Sequence, residues 1–215
     1  MNEPDKILIQ CDFDGTVTIE DASFVILDAY IPGKWQPLFE EYQQGKTTVG
    51  EFNTTVFSMV KADKETLLDL IRQKVPVREG FTDFMEYCRR KGYRIVIVSN
   101  GLDFYIEDIL GRIGYSDLQI HASNTVFNEN GLSVRHQGPD GNYLDEDVKA
   151  AYTDYFIEQG YRIIYLGDGR SDVLPASKSH RVFATGSLKE YCNSEKIPYI
   201  PFTDFYQVVK VMESW

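Results

Sequence analysis

The fold is decided by the stretch ILIQCDFDGTVTIED, residues 7–21. The apolar run ILIQC predicts a buried parallel strand, and two carboxylates, Asp12 and Asp14, follow it directly. Alternate side chains of an extended chain point to one side, so these two face a common ligand, while Gly15 lets the backbone turn sharply. Buried carboxylates are costly unless a cation or hydrogen bonds compensate them. The strand exit is therefore either a solvated acidic turn or a site.

Length and composition limit the remaining possibilities. The chain has 215 residues, 43% hydrophobic and 13% aromatic, which suits one α/β domain with a small insertion. Its net charge of −11 disfavours nucleic acid and anionic membranes as partners. An anionic substrate would then need local positive charge from a metal, a lysine or backbone amides.

Cysteine usage and hydropathy predict the compartment. Cys11, Cys88 and Cys192 are odd in number, widely spaced and set in apolar runs, which is typical of reduced thiols. No signal peptide precedes Ile7, and no apolar run approaches the ~20 residues that span a bilayer. We expect a cytoplasmic protein, either a monomer or a homodimer.

Strand and helix patterns alternate along most of the chain. Further apolar runs lie at 93–99, 118–122, 162–166 and 181–184, and helical patterns lie at 80–91, 102–113, 145–159 and 171–178. This alternation predicts an α/β fold, a Rossmann-like parallel sheet with helices on both faces. In such sheets, sites form at the carboxyl ends of the strands.

Two segments interrupt the alternation. Residues 21–78 hold four helical patterns and no convincing strand, so we predict a small helical cap there, between core segments 1–20 and 79–215. PVREG, residues 76–80, is its predicted return hinge. Residues 125–134 alternate around Asn130-Gly131, which predicts a short β-hairpin.

Three further motifs offer chemistry at strand exits or helix starts. GDGRSD carries Asp168 and Asp172, which suit an oxygen-liganded Mg²⁺, although Asp172 is equally suited to be a helix N-cap. VSNG carries Ser99, whose hydroxyl and following amides suit a phosphate, although Ser-Asn-Gly is also ordinary turn chemistry. Lys149, near a helix start, is the cation that a crowd of carboxylates would otherwise lack.

The order D-x-D-G-T, S-N-G, K, G-D-G-x-S-D resembles the haloacid dehalogenase superfamily over residues 6–20 and 80–215. The inserted helices resemble the cap of its phosphoserine phosphatase-like subfamily. In that family Asp12 would be the nucleophile that forms an aspartyl phosphate, and Asp14 the general acid and base. The resemblance also implies ligands for Mg²⁺ and phosphate: Asp12, Asp14 (through its backbone carbonyl), Asp168 and Asp172 for the metal, and Ser99, Asn100 and Lys149 for the phosphate.

The resemblance extends to the substrate side. Asp21 stands where phosphoserine phosphatases carry a glutamate for the substrate ammonium, and Thr54 stands where they carry an arginine for the carboxylate. The phrases IPGKW, VREGFTDF, SNGLDFYIEDIL and PFTDFYQV are closer to the 2-hydroxy-3-keto-5-methylthiopentenyl-1-phosphate phosphatases, which have a longer cysteine-rich stretch at the hairpin. We expect a small phosphate ester as substrate, with Asp21, Phe13 and Met59 as contacts.

Two alternatives stay open at this stage. A phosphomutase would use the same Asp pair, and a non-catalytic phospho-acceptor or metal-binding signalling module also combines Asp, Ser and Lys at strand ends. Aromatic residues of the cap, such as Trp35, Phe39, Phe52 and Phe57, are expected to pack its interior.

Overall fold

The computed structural model describes residues 6–215. Within this range the strands are β1 Lys6–Cys11, β2 Arg94–Leu102, β3 Gln119–Asn128, β4 Gly131–Arg135, β5 Tyr161–Gly167, β6 Arg181–Ala184 and β7 Ile200–Pro201. The helices are α1 Ala22–Tyr30, α2 Trp35–Gln43, α3 Val49–Ser58, α4 Lys64–Lys74, α5 Phe81–Lys91, α6 Asp103–Arg112, α7 Val148–Glu158, α8 Val173–Lys178, α9 Leu188–Glu195 and α10 Phe205–Met212. No helix within residues 6–215 combines the length and apolarity needed to cross a membrane.

The strands form one sheet in the order β4-β3-β2-β1-β5-β6-β7, with β1 at its centre. All neighbouring strands are parallel except β4, which runs antiparallel to β3. Leu8 packs towards α7 on one face and Ile9 towards α5, α6 and α10 on the other, and both are fully buried. Burial on both faces is why ILIQC reads as a continuous apolar run. The predicted fold is confirmed.

Helices α1 to α4 occupy the predicted insertion between β1 and α5. They share the main hydrophobic core, and α3 packs on β4 while α4 packs on α6. Arg72 of α4 donates to both carboxylate oxygens of Asp108 of α6, at 2.6 and 3.2 Å. The division of the chain at residues 21 and 78 stays a prediction, and residues 1–5 of the predicted core lie outside the described residues.

The structure differs from the sequence prediction in three elements. The third core strand continues into the hairpin as one strand, β3, so the hairpin is an extension of the sheet. Strand β2 includes Ser99, Asn100 and Gly101, with a register irregularity against β3 between Val98 and Leu102. No element is predicted from the sequence after residue 184, and the structure has α9, β7 and α10 there.

Candidate active site

The carboxyl end of β1 delivers Asp12 and Asp14 to one cavity. Asp12 continues the sheet, since its N–H donates to the Leu166 carbonyl of β5 at 2.9 Å. The chain then turns at Gly15, whose φ of +72° lies in the left-handed region of backbone conformation. A Cβ on Gly15 would collide with the Asp168 carboxylate, so glycine is needed for both the turn and the close approach.

Lys149 contacts a carboxylate that follows β1, Asp12, and a carboxylate that follows β5, Asp172. Its ammonium lies 2.8 Å from Asp12 Oδ1 and 2.6 Å from Asp172 Oδ1, and the lysine is only 3% exposed. Burial lowers the pKa of Lys149, but Asp12 and Asp172 raise it more, so the net shift is upward and the lysine stays charged. Burial and the charge of Asp172 raise the pKa of Asp12 to about 6, against the opposing effect of Lys149.

The carboxylates of Asp12, Asp168 and Asp172 offer oxygens that lie within 4.8 Å of one another. Burial, then the charges of Asp12 and Asp172, hold the pKa of Asp168 well above its usual value. One lysine charge does not balance this group, and an all-oxygen donor set suits a hard divalent cation. The residues therefore fit a metal ion.

Asp172 is the most constrained carboxylate of the group. Its Oδ1 accepts from Lys149 and from the Tyr165 hydroxyl at 2.6 Å each, and its Oδ2 accepts from the N–H groups of Asp168 and Gly169 at 2.9 Å each. A carboxylate offers about four acceptor positions, and these are all taken. Asp172 thus orients Lys149 and the Asp168 loop.

The side chain of Asp14 is held separately from the three carboxylates that fit a metal ion. Its Oδ1 accepts from the Ala22 N–H at 2.9 Å, and its Oδ2 accepts from the Tyr105 hydroxyl at 2.5 Å. Burial and the charge of Asp21 raise its pKa well above the usual value, while Tyr105 and Ala22 lower it. A raised pKa favours a carboxyl group that carries a proton.

Ser99, Asn100 and Gly101 line the same cavity as Asp12. Ser99 is 1% exposed, and its Oγ accepts from the Gly101 N–H at 3.0 Å. Asn100 Oδ1 is buried and has no hydrogen-bond partner among the described residues. The structure therefore brings Ser99, Asn100 and Lys149 to one cavity, and their phosphate-binding role stays a prediction.

The cavity has a volume of about 290 Å³ and extends to the helical cap. Its cap side is aromatic: Phe24, Phe39, Tyr42 and Phe52 line it. Their rings contact one another at centroid distances of 4.9 to 6.1 Å. Phe39 and Phe52, expected only to pack the cap, therefore also face the cavity.

Three predicted substrate contacts differ in their placement. Asp21 lines the cavity as the N-cap residue of α1, where it accepts from the Phe24 N–H at 3.0 Å. Phe13 is 0% exposed and packs beside Tyr105, and Met59 packs against the main core; neither is among the residues that line the cavity. Phe13 points away because it alternates with Asp12 and Asp14 along an extended chain.

A model of one protein family matches residues 9–176, under the description haloacid dehalogenase-like hydrolase. The chain belongs to this family. The predicted membership and the prediction of a hydrolase are confirmed.

Curated relatives of this haloacid dehalogenase-like hydrolase match it over nearly its whole length. The 2-hydroxy-3-keto-5-methylthiopentenyl-1-phosphate phosphatase of Brevibacillus brevis is 25% identical over 213 residues, covering 97% of this chain and 96% of the relative. The protein of the same description from Geobacillus thermodenitrificans is 27% identical over 208 residues, covering 95% and 94%. A solved structure described as a phospho-aspartyl intermediate analogue of phosphoserine phosphatase aligns with a TM-score of 0.74 at 20% identity, covering 97% and 99%. That likeness confirms the fold.

The sequence motifs do not predict several residues of the hydrolase site. Tyr105 and Tyr165 hold Asp14 and Asp172. Arg170, inside GDGRSD, lines the cavity, donates to the Gln43 carbonyl and lies over the Tyr42 ring. Thr54, in contrast, lies outside the cavity lining and donates to the Val134 carbonyl at 3.2 Å.

Proposed function

We propose that the protein is a Mg²⁺-dependent phosphomonoesterase that hydrolyses a small phosphate ester through an aspartyl phosphate on Asp12. The observation that carries this proposal is the convergence of Asp12, Asp14, Lys149 and Ser99 on one cavity, with Asp168 beside Asp12. The chain belongs to a hydrolase family, and its curated relatives carry phosphatase names.

Each residue has a defined task in the proposed reaction. Asp12 Oδ attacks phosphorus, and the bond from phosphorus to the ester oxygen breaks. Asp14 gives its proton to the departing alkoxide, then takes a proton from the water that attacks the aspartyl phosphate. Lys149 and the Ser99 hydroxyl bind phosphoryl oxygens, and product phosphate leaves with Asp12 restored. The raised pKa of Asp14 supports its acid role.

Asp12 and Asp168 would hold the Mg²⁺, with the Asp14 carbonyl as a further predicted ligand and Asp172 orienting the loop. When bound, the ion neutralises charge on the phosphoryl group and on the carboxylates. Lys149 alone leaves the phosphate and these carboxylates without sufficient positive charge.

The cavity favours a substrate with an apolar end. Phe24, Phe39, Phe52 and Tyr42 form its cap side, and the cationic residues among the described lining are Lys149 and Arg170. Arg170 Nη1 donates to the Gln43 carbonyl and its guanidinium lies over the Tyr42 ring, so contacts with the cap hold this cation. We therefore favour an ester like that named for the curated relatives over phosphoserine. The proposal includes a cytoplasmic setting, which the free and buried cysteines support.

The test is phosphate release from a panel that holds 2-hydroxy-3-keto-5-methylthiopentenyl 1-phosphate, phosphoserine and hexose phosphates, with Mg²⁺ or with EDTA. We expect turnover that requires Mg²⁺ and is lost in Asp12→Asn, which keeps the shape of the side chain but removes its nucleophilic charge. The matched control is Asp154→Asn, which changes a half-exposed carboxylate that pairs with Lys178 outside the cavity. If the wild type and Asp12→Asn release equal phosphate from every ester, the proposal is wrong.

A further inference from the structure

The backbone carbonyl of Asn100 accepts from three side chains on separate segments. Asn53 Nδ2 of α3 lies 2.9 Å from this oxygen, Ser123 Oγ of β3 lies 3.0 Å from it, and His136 Nε2, just after β4, lies 3.2 Å from it. All three donors are buried, Ser123 completely. A carbonyl in a strand usually needs one donor, so this one is unusually well fixed.

The protons of this cluster can be assigned from its geometry. Ser123 Oγ also lies 2.5 Å from His136 Nε2. Burial lowers the pKa of His136 to about 4, so the ring is neutral and carries one proton. A carbonyl oxygen only accepts, so the Ser123 O–H donates to Asn100, and His136 Nε2–H donates to Ser123 Oγ and towards Asn100. This assignment gives the Asn100 carbonyl, the Ser123 hydroxyl and His136 Nε2 a partner each.

The other side of the same peptide unit is equally confined. Gly101 has no space for a Cβ, which would collide with Asp14 Oδ2 and the Tyr105 hydroxyl. The Gly101 N–H donates to Ser99 Oγ at 3.0 Å. Because that bond uses a lone pair of Ser99, the hydroxyl proton of Ser99 is left to donate elsewhere, and Ser99 lines the cavity.

We propose that Ser123 and His136 are positioning residues that hold the Asn100–Gly101 peptide, so that the Ser99 hydroxyl donates to the phosphoryl group of the substrate. Asn53 adds a donor from the helical cap, which links the position of α3 to the same peptide. The inference rests on the proposed phosphatase function and adds Ser123 and His136, which lie outside the lining of the cavity.

A double-mutant cycle separates positioning from simple core packing. Ser123→Ala removes the hydrogen bond from Ser123 to the Asn100 carbonyl, so we expect it to lower kcat/KM by about two- to tenfold. In the Ser99→Ala background the same change has no further effect, because Ser123 acts through Ser99. Val134→Ala is the control: Val134 is a buried residue of β4 whose side chain has no hydrogen-bonding group, so the change lowers stability and leaves kcat/KM unchanged. Equal losses from Ser123→Ala in both backgrounds would overturn the proposal.

Conservative replacement tests the histidine. Glutamine places an amide nitrogen near the position of His136 Nε2, so His136→Gln retains most of the kcat/KM that His136→Ala loses. If the two variants lose the same kcat/KM while their melting temperatures differ, His136 has only a structural role and the proposal is wrong.

A readout without turnover keeps this inference separate from the proposed function. Amide hydrogen exchange of Gly101 reports its bond to Ser99 whether or not the protein is a phosphatase. We expect faster exchange at Gly101 in Ser123→Ala and not in Val134→Ala, measured by NMR. Unchanged exchange in both variants overturns the positioning role, whereas an inactive wild type with the expected exchange overturns the phosphatase proposal alone.

Discussion

Removing the Tyr105 hydroxyl tests how Asp14 is held. The hydroxyl donates to Asp14 Oδ2 at 2.5 Å and lies 2.9 Å from Ser23 Oγ, and the tyrosine is 0% exposed. Removing a hydrogen-bond donor so that its buried acceptor has no partner lowers the free energy of unfolding by about 1 to 3 kcal/mol. We therefore expect Tyr105→Phe to lower the free energy of unfolding by about 1 to 3 kcal/mol. Urea unfolding measures this change.

The same variant should lower activity by a specific route. Asp14 would keep only the Ala22 N–H as an anchor, and misplacing a group that moves a proton in the chemical step lowers kcat more than it changes KM. We expect kcat to fall by about ten- to a hundredfold. Steady-state phosphate release measures kcat and KM separately.

Tyr87→Phe is a matched control within the same chain. Tyr87 is 2% exposed, and its hydroxyl is buried without a hydrogen-bond partner among the described residues. Removing this hydroxyl leaves no partner unsatisfied, so stability and kcat should stay within error of the wild type. If Tyr105→Phe and Tyr87→Phe behave alike in both assays, Tyr105 does not hold Asp14 and the reasoning is refuted.

Three further predictions concern the turn after β1 and the buried histidine. Gly15→Ala should lower the melting temperature and weaken activation by Mg²⁺, measured by titrating the metal, because the added Cβ meets Asp168. Arg78 donates to the carbonyls of residues 15, 16, 18 and 203. Arg78→Ala should therefore lower the free energy of unfolding by about 2 to 3 kcal/mol, and Arg78→Lys should lose only part of that stability. Urea unfolding of both variants measures these changes. Burial lowers the pKa of His136 from 6.5 to about 4. As the pH falls from 6.5 to 4, the histidine is protonated in the unfolded chain before it is protonated in the folded protein, so the free energy of unfolding falls by about 3 kcal/mol in total. Between pH 7.5 and 4, urea unfolding should show a loss of stability that is about 3 kcal/mol larger in the wild type than in His136→Gln, because His121, whose pKa burial also lowers to about 4, titrates in both proteins.

The sequence predicted the residues whose chemistry lies in short motifs at strand exits. The spacing of Asp12 and Asp14 is readable because the period of an extended strand is two, and parallel strands bring their carboxyl ends to one edge. Tyr105 and Asn53 gave no such signal. A single polar residue on a helix face shows its partner only after the helix packs, and both partners here are far away in sequence.

The sequence near α10 carries a helix start signal. Asp204 caps α10 by accepting from the Gln207 N–H at 2.9 Å, and Asp followed three residues later by Gln before an apolar run is a helix start pattern. Strand β7 has only Ile200 and Pro201, which is too short for periodicity to reveal. Its pairing with β6 depends on the tertiary structure.

The residue at position 21 has two physical explanations that a pair of variants can separate. The resemblance to phosphoserine phosphatases predicts a substrate contact, with aspartate one methylene shorter than the glutamate expected there. The structure adds a second cause, because Asp21 Oδ1 caps α1, and aspartate is a preferred N-cap residue whereas glutamate is not.

Asp21→Asn keeps an oxygen that can cap the helix and removes the charge, while Asp21→Ala removes both. We expect Asp21→Ala to lower the free energy of unfolding by about 1 kcal/mol and Asp21→Asn to leave it nearly unchanged, because burial raises the pKa of Asp21 to about 6 and its charge adds little stability. If Asp21 also accepts a hydrogen bond from the substrate, both variants raise KM for the preferred ester by several fold. A KM that rises in neither variant would make Asp21 a helix cap alone, and the substrate would then be selected by the aromatic side of the cavity.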